Sequence, residues 1–262
     1  MLQEERARAK KPRARAIELE LEQLYGEYRH ADFLRVRGGR FSTPFGYWTP
    51  VHWSIHVDTI EAPIHEESRI VPEQQIGLRV FGNIFAGRVR SVQTEVEYSL
   101  HGGYAEDGWA AGKPDGLTLG TDLRLRLEDR HMLGVSLYTQ ENGEEGDRRE
   151  NNLMVYGETQ LPLHLFLRAE YVRQHRDSGT EPGFVRNADI VYTKLRWDFR
   201  HDAYLNYRFE FGEDDRLGVT TDHTVHRATL GFQPIPRIRL KAEYARHIFD
   251  GGPQGDFDFW GV

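Results

Sequence analysis

Ser136 and His131 are of the types that a hydroxyl nucleophile and its general base require, and such a pair works only within hydrogen-bond reach. They stand five residues apart in a stretch of alternating apolar and polar residues, so an extended chain points them to opposite faces. No Gly-x-Ser-x-Gly elbow or phosphate-cradling glycine loop occurs. His52, His56 and His65 gather in one stretch, yet a metal needs convergent ligands, and the spacing of His52 and His56 suits a helix that the surrounding residues do not support. Cysteine is absent, which removes disulfides and thiolate metal sites. The expectation is no enzyme, no catalytic residue, no cofactor and no metal.

The side chains that do recur in a pattern are cationic. Arg35, Arg37, Arg79, Arg124, Arg126, Arg168, Lys194, Arg196, Arg208, Arg237, Arg239 and Lys241 share the polar phase of their alternating segments. On one reading they line a water-filled lumen and set a field on passing ions. On the other they are a solvated face neutralised by acids of the same phase: Glu18, Glu20, Glu22, Glu95, Glu97, Asp122, Glu128, Glu158, Glu170, Asp198, Glu210 and Glu243. The two signs are close in number, so the pattern does not choose anion over cation.

The elements that would hold these side chains are strands. Leu117, Leu119, Leu123, Leu125 and Leu127 alternate with Asp122, Arg124, Arg126 and Glu128, and Ile238, Leu240, Ala242 and Tyr244 alternate with Arg237, Arg239, Lys241 and Glu243. The same split runs through Leu195, Trp197 and Phe199 against Lys194, Arg196 and Asp198, and through Leu205, Tyr207, Phe209 and Phe211 against Asn206, Arg208 and Glu210. Twelve strands are predicted, at 15–28, 32–42, 76–86, 89–102, 116–128, 131–141, 149–161, 164–175, 186–199, 203–212, 223–233 and 237–248, with a truncated thirteenth near Phe257. The connections alternate between tight (29–31, 87–88, 129–130, 162–163, 200–202, 234–236) and long (43–75, 103–115, 142–148, 176–185, 213–222, 249–256). Short turns on one side and long loops on the other are the habit of membrane barrels, and a soluble sandwich has no reason to sort its loops by end. Tyr98, Tyr138, Tyr171, Tyr207 and Tyr244, near strand ends, are candidates for an interfacial aromatic girdle.

Composition is consistent with this. The chain has 262 residues, 39% hydrophobic and 29% charged, with a mean hydropathy of −0.65. Low hydropathy excludes helical spans but not a barrel, which shows lipid only every second residue. A net charge of −7 gives no reason to expect a nucleic-acid partner. Residues 1–14 form a charged segment outside the barrel domain, 15–262. They carry no apolar run of the secretory-signal kind.

The segment Leu34-Arg35-Val36-Arg37-Gly38-Gly39-Arg40-Phe41-Ser42-Thr43-Pro44-Phe45-Gly46-Tyr47-Trp48 resembles a bacterial porin signature. In that signature, seen also in the phosphate-selective kind, an arginine-bearing strand runs into Gly-Arg-Phe and a Pro-Phe-Gly turn. Gly77-Leu78-Arg79-Val80 is similar to the strand that follows. The resemblance implies an all-β, antiparallel up-and-down transmembrane barrel in the bacterial outer membrane. Its partners would be outer-membrane lipid and small hydrophilic solutes or ions, with a homotrimer as its assembly. It does not carry a lysine-lined phosphate site here. A first strand that runs toward the tight-turn side, and a last strand only a few residues long, lead to the expectation of a fragment whose parent barrel has about 14 to 16 strands.

The 43–75 connection is too long for an ordinary link, and its Pro44, Phe45, Tyr47, Trp48 and Trp53 argue against disorder. It is expected to fold into the pore as a constriction. The alternatives are a loop outside the barrel or against a neighbouring subunit. Two further readings of the whole chain stay open: a non-conducting barrel with a structural, adhesive or binding role, and a soluble all-β protein.

Overall fold

A computed structural model describes residues 23–51, 58–67, 70–106, 116–142, 148–178, 185–216, 219–235, 238–251 and 255–261. Thirteen strands follow one another: β1 (Leu24–Ala31), β2 (Leu34–Ser42), β3 (Gln74–Val89), β4 (Val92–Glu106), β5 (Leu117–Leu127), β6 (His131–Asn142), β7 (Arg148–Leu161), β8 (Leu165–Ser178), β9 (Val185–Arg200), β10 (Ala203–Arg216), β11 (Val219–Ile235), β12 (Ile238–Asp250) and β13 (Phe257–Gly261). They form one sheet in chain order, each strand antiparallel to the next, with β1 and β13 at its two edges.

Pairing carries one side-chain phase unbroken from edge to edge. Arg37 opposes Arg79, Arg124 opposes Glu97, Arg168 opposes Lys194, and Thr229 opposes Glu243. All are on the inner face. Exposure divides by the same phase and reverses the order of a soluble protein. Leu119 is 63% exposed, and Leu123, Leu133 and Leu240 are also open, while Arg208 and Glu210 are both at 0%. On β5 the outward leucines run from Leu117 to Leu127. At roughly 3.3 Å per residue and a tilt of about 40°, that stretch is about 25 Å tall, the height of the apolar band of an outer-membrane barrel.

The tight turns are built without glycine. Arg90 and Ser91, Glu128 and Asp129, and Leu163 and His164 all have positive φ. A turn of that hand matches the twist of the flanking strands, and favours Asn-Gly because other residues resist left-handed backbone. Loop spacing rather than turn chemistry is thus what marks these turns in the sequence, and the one expected at 87–88 lies at Arg90 and Ser91 instead.

The structure corrects further readings. The first strand runs Leu24–Ala31 and its turn is at Asp32 and Phe33, a few residues later than predicted; residues 15–22 and the acids Glu18, Glu20 and Glu22 lie outside the described residues. Two expected long connections are shortened by strand. In 213–222 the ladder continues through Glu213↔Asp222 to Arg216↔Val219, because backbone pairing needs no apolar side chains once the sheet leaves hydrocarbon. Similarly, 176–185 is trimmed by Arg176↔Arg186. Finally, Tyr138 is no girdle residue: it faces inward, is buried, and meets the ring of Phe45 edge-on at 6.2 Å.

Between β2 and β3, the described residues 43–51, 58–67 and 70–73 lie across the inner face of the sheet, with a 3-10 turn at Thr49–Val51 and a single helical turn at Ile64–Glu67. This one segment touches strands from β5 to β12, so the sheet must curve around it. The buried cluster of Phe45, Ile64, Ile70, Tyr138, Met154, Tyr156 and Val225 joins loop to wall.

Candidate pore-constriction site

The site begins with a register. Arg168 on β8 opposes Lys194 on β9, Lys194 opposes Arg208 on β10, and Arg208 opposes Arg227 on β11. Four like charges side by side repel unless anions stand among them. Glu158 on β7 pairs with Arg168, and Glu210 lies 2.5 Å from Arg208 Nε. The loop supplies the rest. Asp58 lies 2.9 Å from Lys194 Nζ and 2.7 Å from Arg196 Nη1, and Glu61 lies 2.5 Å from Arg227 Nη2.

Backbone contacts fix the segment in the same place. The Arg208 guanidinium donates to Thr59 Oγ1 at 3.1 Å and to the carbonyls of Glu61 and Ala62 at 3.0 Å each. Glu243 accepts the amides of Ile60 at 2.9 Å and Glu61 at 3.1 Å, and Glu210 accepts that of Ile64 at 2.6 Å. Lys241 donates to the Thr59 carbonyl. Burial opposes charge on Asp58, but Lys194 and Arg196 outweigh it and hold the carboxyl far below the usual carboxylate range. Glu61 is lowered too, against burial, by His247 and Arg227. His65 Nε2 is 3.3 Å from Glu170 Oε2, and burial pushes the imidazole down to about 3, so it is neutral.

The first half of the loop is held differently. Gly46 has φ 64; its amide donates to Ser136 Oγ at 2.9 Å and its carbonyl accepts from Arg124. A Cβ there would meet Met154 Sδ at 2.0 Å, so the backbone lies flat on β7. Trp48 meets Tyr192 edge-on at 6.3 Å, Arg168 stacks 3.3 Å over Tyr47, and Pro44 and Phe45 are buried. Trp53, His52 and His56 lie outside the described residues, as does Arg237.

The remaining arginines have partners on the sheet itself. Arg37 pairs with Glu27 at 2.7 Å, Arg79 stacks on Phe81 and donates to Ser99, Arg35 reaches Asp32 at 3.7 Å, Arg126 reaches Glu97 at 3.3 Å, and Arg239 donates to Gln233. A polar cavity of ≈250 Å³ opens between Tyr47 and Pro50 of the loop and Arg124, Arg126, Arg130 and Glu158 of the wall. Ser136 and His131 do not meet, since Ser136 is buried on the inner face while His131 is exposed on the outer one, and no three metal-ligating groups converge among the described residues.

No protein-family model matches the chain, and neither does any curated protein sequence. Solved structures do. An anion-selective porin from Comamonas acidovorans has a TM-score of 0.65 at 9% identity, covering 88% of this chain and 69% of that one. The outer-membrane expressed OmpT of Vibrio cholerae has a TM-score of 0.58 at 12% identity, covering 84% and 68%. A trimer form of the in-vitro folded OmpT has 0.58 at 12%, covering 87% and 72%. The fold is that of an outer-membrane porin barrel. At such identities it is the fold alone that is shared.

Sequence reasoning missed Asp58, Glu61 and Arg227. Asp58 and Glu61 were readable as the acids of a loop otherwise noted for aromatics, facing strands rich in inward cations. Arg227 shares the inner phase, but its outward neighbours His226 and Ala228 are too weakly apolar to display the alternation.

Proposed function

We propose that the chain forms a passive pore in the bacterial outer membrane, through which small hydrophilic solutes or ions diffuse down their gradients, without catalysis. The observation that carries this reading is the inversion of polarity, with leucines outside and ionic side chains inside, in a sheet too tall and too regular for a soluble sandwich. The inner arginines and lysines set the field in the lumen, and residues 43–73 narrow it, with Phe45, Tyr47 and Trp48 on one side of the passage and the Asp58–Glu61 latch on the other. Assembly as a homotrimer accompanies this reading, since one similar barrel, OmpT of Vibrio cholerae, has a trimer form.

The test is single-channel recording in planar bilayers. The wild-type barrel conducts, and deleting residues 48–67 raises its conductance. A barrel that inserts yet passes no current with or without the loop overturns the pore reading; unchanged conductance after deletion overturns the constriction. A second reading, a barrel plugged by its loop with a structural or binding role, is favoured by the complete burial of Arg208 and Arg227 beneath the loop. It predicts silence in the wild type and current only after deletion.

A further inference from the structure

Along the sequence the inner cations and inner acids are close in number, but the register does not spread them evenly. Under the loop, Arg168, Lys194, Arg208 and Arg227 each meet a carboxylate directly. On the wall made by β2 and β3 that balance fails. Arg37 stands opposite Arg79, and Arg35 opposite Phe81, so three cations gather about one ring. The guanidinium carbons of Arg79, Arg37 and Arg35 lie 4.5, 5.2 and 5.9 Å from the centre of Phe81. Arg37 Nε and Nη2 donate to Glu27 Oε2 at 3.0 and 2.7 Å. Arg79 Nε donates instead to a hydroxyl, Ser99 Oγ, at 2.8 Å. Arg35 reaches the exposed Asp32 at 3.7 Å, and its Nε is buried with no acceptor among the described residues.

Like charges directly opposite on neighbouring strands repel. The negative face of the Phe81 ring eases that repulsion but carries no net charge. Three cations against Glu27 and a solvent-exposed Asp32 leave the patch positive, and a buried donor without an acceptor calls for a partner. Guanidinium N–H groups form a planar fork that matches two oxygens of one carboxylate or phosphate, whereas chloride offers a single point. Resting on the pore reading above, we propose that Arg35, Arg37 and Arg79 form a docking site in the lumen for a small oxyanion, a carboxylate or a phosphate, with Phe81 as its floor. The site lies beside the tight turn at Asp32 and Phe33 and on different strands from the Asp58–Glu61 latch. A solute that passes the constriction is thus met by a second, separate set of charges.

The probes are sodium succinate and sodium phosphate, each titrated into the folded full-length chain in detergent at fixed ionic strength and followed by calorimetry, with sodium chloride as the reference. The wild type binds one oxyanion per chain, and chloride at the same concentration does not displace it. Arg79→Gln weakens that binding about tenfold. Glu27→Gln, which frees Arg37, strengthens it. The two variants move in opposite directions, which a general loss of fold cannot produce. The tighter of the two probes identifies the head group as carboxylate or phosphate. The proposal is overturned if neither oxyanion binds, if chloride binds as well as they do, if Arg79→Gln binds like the wild type, or if Glu27→Gln weakens binding. Single-channel recording on the same preparations keeps the two readings apart: a barrel that binds the oxyanion but passes no current refutes the pore, whereas one that conducts and binds neither probe refutes the site alone.

Discussion

Asp58 is the residue on which the latch turns. Lys194, at 5% side-chain exposure, has this carboxylate as its ion-pair partner, so Asp58→Asn leaves a buried ammonium facing Arg168 and Arg208. Removing one member of a buried pair costs about 3 kcal/mol. The expected outcome is release of the loop, seen as cleavage of residues 43–73 by added protease and as a rise in conductance; Lys194→Met in the same chain should restore docking. The pH dependence has a definite sign. A carboxyl held below its unfolded value contributes stability that is whole above that value, about pH 4, and fades only as the medium becomes more acid. The loop should therefore resist protease equally at pH 5 and pH 6, and loosening between those values would contradict the Asp58 latch. Only the phase of the cations and the presence of acids in the loop were legible in the sequence. The aromatics of the loop mark it as ordered, but which carboxylate meets which ammonium depends on a fold-back that joins residues more than a hundred positions apart.

At the scale of elements, the strands were legible because lipid on one side and polar groups on the other force a period of two along each strand. Leu117 to Leu127 displays this most clearly, and β11 least, where Thr224, His226 and Ala228 take the outward positions. Strand ends outside hydrocarbon were not legible, since charged residues pair there as readily as apolar ones, as Asp214↔Thr221 does. The tight turns hold a stored cost that can be measured. Leu163, with φ 63 and 79% exposed, and His164, with φ 57, occupy backbone that resists L side chains, at about 1 kcal/mol each. Leu163→Asn with His164→Gly suits the same turn and removes most of that cost. Urea unfolding from vesicles should show a gain of about 1 to 2 kcal/mol. An unchanged or lower stability would mean that the turn backbone is not strained.

The molecule as a whole depends on which face meets hydrocarbon. An ordinary globular protein would respond to a charge on an exposed leucine with almost nothing, since surface substitutions away from special features stay within about 0.5 kcal/mol. A membrane barrel responds by depth. Leu123 stands near the middle of the outward row on β5 and Leu127 at its tight-turn end, so Leu123→Arg should cost about 2 to 4 kcal/mol and Leu127→Arg about 0 to 1. Asp122, one residue from Leu123, supplies the internal contrast: it faces inward and accepts Ser136 Oγ at 2.6 Å and Tyr156 Oη at 2.5 Å. Asp122→Asn should thus unsettle the Gly46 contact through Ser136 and Arg124 while leaving insertion into the bilayer intact. Unfolding free energies in phospholipid vesicles separate the cases. Equal, small losses at Leu123 and Leu127 would mean that no depth gradient exists on that face, and the lumen and the constriction would lose their physical basis together.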